Sequence, residues 1–185
     1  MTATSDESDK KGGSVAAKGE RWRDMQPIIL REIEQRAWMN QPRIGIVHTV
    51  ENWDLVERLV NELRYELKDR FHINVLSVKM TQAESIHEIP LYIARMHTHS
   101  EIIFAVGVEL MSSPTYEPRL VDLLTRRIDA VGVGRRLPVF DCILVRESRE
   151  QLEHQMQALS DRGSCIAESW ARRGIDAYTA LCRGV

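Results

Sequence analysis

Short apolar segments alternate with amphipathic segments along the chain from residue 43 onward. Four apolar segments have the length and the polar borders that are typical of buried strands: residues 43–50, 71–78, 101–108 and 137–145. Apolar residues recur at helical spacing in five further segments: about 53–69, 89–96, 116–131, 148–159 and 164–182. This alternation predicts a parallel sheet of four strands covered by helices on both faces, a three-layer α/β/α sandwich with right-handed crossovers.

The N-terminal part of the chain differs in composition. Residues 1–20 contain no Leu, Ile, Phe, Tyr or Trp, so they cannot bury enough apolar area to offset the entropy of ordering, and we predict a disordered tail. The tail lacks the apolar region of a secretory signal, and its acidic residues disfavour a transit peptide. Residues 21–42 are predicted to form a helical extension, with Pro27 in its first turn. The folded domain is predicted to cover residues 43–185.

Composition and charge narrow the class of protein. The 185 residues suffice for one domain, and 25 basic against 27 acidic side chains give a net charge of −2, which argues against a nucleic-acid partner. No apolar run approaches the ~20 residues of a membrane-spanning helix, so we expect no membrane partner. Cys142, Cys165 and Cys182 are far apart, which favours a reduced, cytoplasmic setting and offers no zinc site.

Ligands of such sheets bind beyond the carboxyl ends of the strands. The loops expected there are residues 48–53, 81–90, 108–117 and 145–148. None contains a Walker motif, and no GxGxxG follows the first strand, so nucleotide phosphate binding of those kinds is not expected.

The amino-acid sequences of the predicted strands and loops, taken in order, resemble those of one family. RIGIVHTVENWDLV, ESIHEIP, EIIFAVGVELMSSPTYEPRLV and LPVFDCILVRESREQLEHQM, within residues 43–182, are similar to the strands and substrate loops of the lumazine synthases of riboflavin biosynthesis. Archaeal riboflavin synthases share that fold and are the second resemblance. The resemblance implies a flavodoxin-like central sheet.

The resemblance also implies an activity. Lumazine synthases condense the amine of a ribityl-aminopyrimidinedione with a four-carbon ketone phosphate, through a Schiff base, phosphate loss and ring closure, without cofactor or metal. They are homo-oligomers, pentamers or multiples of pentamers, in which neighbouring subunits share each active site. The helix predicted at 21–39 stands where the family has a leading strand that pairs with a neighbour, which argues against the largest shells.

Several substrate-binding residues are implied by this alignment. Asn52 matches the Asn of the first turn, while Glu51 replaces the aromatic residue that stacks on the pyrimidine; Trp53 either supplies that surface or is a half-buried residue at a helix start. Glu88 matches the acid that binds a ribityl hydroxyl, although an acid before a helical Pro also suits a first turn. Ile86 and His87 belong to the same segment.

The phosphate loop departs from the family pattern. Ser112, Ser113, Pro114, Thr115 and Tyr116 stand where the family has Gly-Gly-Thr-Pro-His. Thr115 is predicted to cap the next helix, so that backbone N–H groups face an anion. Tyr116 takes the place of the catalytic His and is the candidate catalytic residue, although a phenol is a weak general base at neutral pH.

Four other positions complete the implied site. Leu110 and Met111 precede the phosphate loop. Cys165 replaces the family's phosphate-region Lys, and Arg162 or His154 is the candidate counterpart of the Arg that accompanies it. Asp141 replaces an aromatic residue beside the expected pyrimidine pocket, where an acid must be exposed or bonded to a ligand; we favour the ligand.

Two classes of function follow. The chain is either a lumazine synthase-like transferase with a rewritten active site, or a catalytically altered or inactive relative. The relative would act on another amine and carbonyl, bind a ligand or form a shell. A flavodoxin-like regulatory domain is a third class, but it needs paired Asp residues after the first strand, and HTVEN does not supply them.

Overall fold

A computed structural model describes residues 41–114 and 116–183 of the chain. The tail predicted for residues 1–20 and nearly all of the extension predicted for 21–42 therefore lie outside the described residues, as does Thr115.

Strands and helices alternate through the described residues. The strands are β1 Ile44–Thr49, β2 Val78–Ala83, β3 Ile102–Leu110 and β4 Val139–Arg146. The helices are α1 Trp53–Asp69, α2 Ile89–Met96, α3 Pro118–Arg135, α4 Arg149–Ser160 and α5 Ile166–Arg183. Two short 3-10 turns, Val75–Ser77 and Ile86–Glu88, precede β2 and α2.

The strands form one parallel sheet in the order β2-β1-β3-β4. Alternate residues of each strand point to opposite faces. Ile46 and Phe104 face a core with α1, α4 and α5, whereas Val47 and Ala105 face α2 and α3. The predicted three-layer α/β/α sandwich with a parallel four-stranded sheet is confirmed.

The second strand is the element that the apolar pattern placed wrongly. The prediction put it at 71–78, but β2 begins at Val78. Ile73 is buried against the end of α1, and its N–H donates to the Leu67 carbonyl 2.9 Å away. The true strand lies at the sheet edge, where most of its side chains are exposed or half-buried, so it lacks the apolar run of a central strand.

The third helix differs from its prediction at both ends. It covers Pro118–Arg135 instead of 116–131, and Glu117 occupies the cap position; Thr115, the predicted cap, lies outside the described residues. Leu124 and Ile128 are buried as expected, but Leu120 and Leu123 are exposed. One sheet face is too narrow to cover every leucine of this helix.

Candidate functional site

The carboxyl ends of β1 and β3 define the place where a ligand can enter the sheet. The chain leaves β1 toward α1 on one face of the sheet and leaves the adjacent strand β3 toward α3 on the other face. Loops that leave adjacent strands toward opposite faces open a crevice between them, and this is where open α/β sheets bind ligands.

Asn52 fixes the first turn to the neighbouring strand. Its backbone has φ 52° and ψ 41°, a left-handed conformation that Asn tolerates better than most residues. Its side chain makes no helix cap; instead the Nδ2 group donates to the Val108 carbonyl 3.0 Å away. The β1–α1 turn is thereby held over the end of β3.

A polar cavity of about 190 Å³ lies under this turn, lined by Glu51, Asn52, Glu109 and Ser113. Two of the sequence-predicted residues, Asn52 and Ser113, are therefore brought together. The other two lining residues are carboxylic acids. No Lys or Arg lines this cavity among the described residues.

Glu109 is the functional candidate that sequence reasoning missed. The residue as a whole is only 9% exposed, but its carboxyl oxygens reach solvent in the cavity. Burial raises the pKa of Glu109, and the negative charge of Glu51 raises it further, while nearby His87 lowers it. The sequence could have indicated this residue, because Glu109 is a lone acid near the carboxyl end of the otherwise apolar strand segment IIFAVGVEL.

His48 and Trp53 pack together on the α1 face of the crevice. Their ring centroids are 5.2 Å apart, and Trp53 remains partly exposed. His48 is buried, its Nδ1 atom has no partner among the described residues, and burial lowers its pKa. Trp53 thus covers a neutral imidazole, and it is not among the residues that line the cavity.

The segment before α2 lies near the cavity, where the charge of His87 reaches Glu109. Glu88 is half-buried, and its Oε2 atom accepts a hydrogen bond of 3.1 Å from the Glu84 N–H, which closes the turn. Ile86 is fully buried under the rim beside Gly107, where an added Cβ would lie 3.0 Å from Ile86 Cγ2. His87 is exposed.

The predicted phosphate loop uses most of its own N–H groups. Those of Met111 and Ser112 donate to the carbonyls of Arg146 and Glu147, and those of Ser113 and Tyr116 donate to Leu110 and Ser113. These four groups are therefore not free to bind an anion, and the predicted anion site at the start of the next helix stays a prediction. Tyr116 and Leu110 are half-buried and Met111 is exposed.

Asp141 does not reach this cavity within one chain. It pairs in register with Ala105 at the middle of β3, and it lies on the α3 face. Its Oδ2 accepts from Thr125 and its Oδ1 from the Ile143 N–H, each at 3.0 Å. The acid that the alignment placed beside a ligand is thus satisfied by the chain itself.

Arg162 and Cys165 lie at the opposite end of the sheet. Arg149 at the start of α4 is ion-paired with Asp54 at the start of α1, so both helices begin at the crevice. Cys165, just before α5, contacts Glu66 near the end of α1, with 3.7 Å between Sγ and Oε1. Exposed Arg162, in the turn after α4, is therefore a helix length away from Asn52.

Metal sites and membrane spans are two further features that a chain of this kind can contain. Within the described residues, no three His, Cys, Asp or Glu side chains come together in a way that could hold a metal ion. None of the helices in these residues combines the length and apolar character needed to span a bilayer.

Fold and crevice together define an α/β protein with a small polar pocket at the switch point of a parallel sheet. The family model described as 6,7-dimethyl-8-ribityllumazine synthase matches residues 41–176, which is most of the chain. The chain belongs to the lumazine synthase family. A comparison with curated proteins finds no match.

Proposed function

We propose that the protein is a lumazine synthase-like transferase that joins the amine of a ribityl-aminopyrimidinedione to a four-carbon ketone phosphate. The family match over residues 41–176 carries the proposal. The amine would attack the ketone with loss of water, phosphate would leave, and the second nitrogen would close the ring with loss of another water. Holding two substrates together supplies much of the rate enhancement in such reactions.

Three sequence-predicted residues support the proposal by lying at the same rim. Asn52 belongs to the β1–α1 turn, Glu88 to the segment before α2, and Tyr116 to the loop after β3. We assign the ring of the amine to the cavity beside Asn52 and the ribityl chain to Glu88. Tyr116 stays the candidate proton carrier, with His87 as a second candidate because it lies near Glu109.

The phosphate group would have to be bound by a second subunit. The cavity lining of a single chain contains no cation among the described residues, and Arg162 is at the other end of the sheet. In the proposed homopentamer, or a multiple of it, Arg162 of one subunit would complete the site of the next. The exposed Leu120 and Leu123, which border a further cavity of about 150 Å³ with His87, supply an apolar surface for such a contact.

A second candidate function is condensation of a different amine and carbonyl. It is favoured by the carboxyl of Glu109 inside the cavity, because carbonyl oxygens of a pyrimidinedione would meet like-charged oxygens there. A ligand-binding or shell-forming relative without catalysis is the outcome if neither pair reacts.

Mixing the purified protein with the ribityl-aminopyrimidinedione and the ketone phosphate, and following lumazine fluorescence, tests the first candidate. Turnover above the uncatalysed rate is expected. A Tyr116→Phe variant with the unchanged rate would remove Tyr116 from the proton path.

Calorimetry with a ribityl pyrimidine tests the role of Glu88 separately. The Glu88→Gln variant is expected to bind it roughly tenfold more weakly, since a hydrogen bond to a charged group is lost. Glu84→Gln is the matched control, because Glu84 is exposed in the same segment and only its backbone contacts Glu88. Equal affinity of the Glu88→Gln variant and the unaltered protein would contradict the assignment.

A further inference from the structure

A carboxyl and an imidazole lie near each other at the edge of the crevice, on the α2 and α3 face of the sheet. Every second residue of a strand points to the same face, so Glu109 shares its face of β3 with Ala105 and Gly107. An added Cβ at Gly107 would lie 3.0 Å from Ile86 Cγ2, so the segment before α2 crosses this face next to the end of β3. His87 follows Ile86, and its charge acts on the Glu109 carboxyl.

Both side chains are open to a bound molecule. Glu109 lines the polar cavity of about 190 Å³, and its carboxyl oxygens reach solvent there. His87 is exposed and lines the cavity of about 150 Å³ that Arg127 of α3 also borders. A molecule held in the polar cavity therefore contacts the carboxyl and has the imidazole in its neighbourhood.

The charges around Glu109 suit it to accept a proton. Burial raises the pKa of Glu109 and the negative charge of Glu51 raises it further, whereas the charge of His87 lowers it. A carboxylate whose pKa is raised is a stronger base than an ordinary exposed carboxylate. Imidazole is the side chain that exchanges its proton near neutral pH, so the two residues together offer one base and one acid.

We propose that Glu109 and His87 are the acid–base pair that moves the protons when the amine condenses with the ketone. The inference rests on the proposed function and deepens it, because it names the residues that transfer protons at the same site. A carboxylate and an imidazolium suit this work better than the phenol of Tyr116, since a phenol is a weak base at neutral pH.

The protons balance over one condensation. As the amine nitrogen attacks the carbonyl carbon, the Glu109 carboxylate takes a proton from the nitrogen, and the His87 imidazolium gives one to the carbonyl oxygen, which becomes a hydroxyl. The C–O bond then breaks, and the hydroxyl leaves as water with the proton held by Glu109. The nitrogen passes its remaining proton to His87 as the C=N bond forms. Both residues return to their starting states, and no further reactant is needed.

A titration of the Glu109 carboxyl by carbon-13 NMR tests whether the two side chains are linked. Because the charge of His87 lowers the pKa of Glu109, Glu109 should titrate at higher pH in the His87→Asn variant than in the unaltered protein. Glu51→Gln should shift the titration to lower pH, since it removes the negative charge that raises this pKa. His99→Asn, exposed after α2, is the matched control and should leave the titration unchanged. A Glu109 titration that does not move in the His87→Asn variant would overturn the inference.

Single-turnover rates of lumazine formation test the catalytic role. Glu109→Gln and His87→Asn should each lower the rate roughly hundredfold, as the loss of one general acid or base typically does. The double variant should be no slower than the slower single variant, because residues that act as one unit have non-additive effects. Glu57→Gln, on the exposed side of α1, and His99→Asn are the controls for the change of charge and should keep the full rate.

The outcomes separate this inference from the proposed function. Lumazine formation at an unchanged rate in either single variant, or losses that multiply in the double variant, would overturn the acid–base pair and leave the proposed function intact. No lumazine formation by the unaltered protein would refute the proposed function and, with it, the catalytic role of the pair.

Discussion

Two buried glutamates at opposite ends of the molecule show how differently the fold treats the same side chain. Glu66, near the end of α1, is 7% exposed, and Glu109, near the end of β3, is 9% exposed. Glu66 forms an ion pair with Arg70, 3.0 Å between Oε2 and Nε, and its Oε1 accepts from Cys165. The carboxyl of Glu109 has no hydrogen bond with any described side chain, and its oxygens reach solvent in the cavity.

The surroundings of the two carboxyls explain the contrast. Around Glu66, Arg70 also pairs with Glu168, which in turn contacts Arg172 and Ser164. A network of opposite charges serves stability, although Glu66 Oε2 lies close to the guanidinium without a well-aligned hydrogen bond. An unpartnered acid in a cleft, with its pKa raised by burial, is instead a functional candidate.

Substitution of Arg70 is the strongest test of the ion-pair network near the end of α1. Arg70→Ala should lower the free energy of unfolding by about 2 kcal/mol, because it leaves two carboxylates without their shared partner; this is less than for a fully buried pair, since the guanidinium is partly exposed. Urea denaturation measures the change. Arg64→Ala, exposed on the same helix, should have almost no effect. Equal losses in the two variants would show that the network is not stabilising.

A methyl group at Gly107 tests how tightly the rim is built. Gly107→Ala should cost about 1 kcal/mol, because its Cβ would lie 3.0 Å from Ile86 Cγ2, and it should weaken ring binding at the crevice. Gly134→Ala, whose Cβ meets nothing within 4 Å, should be neutral or stabilising in thermal unfolding. Two stable variants with unchanged ring binding would contradict the close packing under the rim.

The Glu109→Gln variant should be more stable than the unaltered protein, by about 1 kcal/mol or less at neutral pH. The pKa of Glu109 is raised in the folded protein, so ionisation opposes folding above that pKa. This cost is absent below the unfolded pKa near 4.5. The stability gain of the variant should therefore shrink as the pH falls toward that value, as measured by urea denaturation across the range. A gain that does not depend on pH would contradict the unpaired carboxyl.

The smallest expected effect concerns His48. Burial lowers its pKa below 6.5, so the unfolded chain binds a proton more readily than the folded one. The free energy of unfolding should not depend on His48 above the pKa that His48 has in the unfolded chain. It should decrease as the pH falls from there through the lowered pKa of the folded protein. A His48→Leu variant should lose that part of the pH dependence, whereas His154→Leu, exposed on α4, should keep it. Identical pH profiles for the His48 variant and the unaltered protein would refute the buried neutral imidazole.

Periodicity predicted the elements whose burial is one-sided or complete. Helix α1 was expected at 53–69 and found at Trp53–Asp69, because its leucines repeat along one buried stripe. Strand β2 was misplaced because an edge strand with polar side chains has no apolar run to detect. The apolar residues Ile73 and Leu76 belong instead to a connection, where Leu76 is 86% exposed.

The candidate site was predictable only in part. Short sequence motifs placed Asn52, Glu88 and Tyr116 in loops at one edge of the sheet, because parallel strands bring their carboxyl ends together. They did not reveal that the loop N–H groups after β3 are used by β4, or that Thr125 partners Asp141. Those hydrogen bonds join residues distant in sequence, and spacing along the chain does not encode them.

By itself, the sequence determined the alternation of strands and helices, the three-layer class and the family resemblance, because each depends on patterns within short segments. Tertiary structure alone decided the long-range contacts of the two buried acids. Glu66 meets Cys165 from another helix in addition to Arg70 four residues further on, whereas Glu109 ends at the crevice, where the charges of Glu51 and His87 act on it. Contacts of a buried charge with another element depend on which segments, distant in sequence, pack against it.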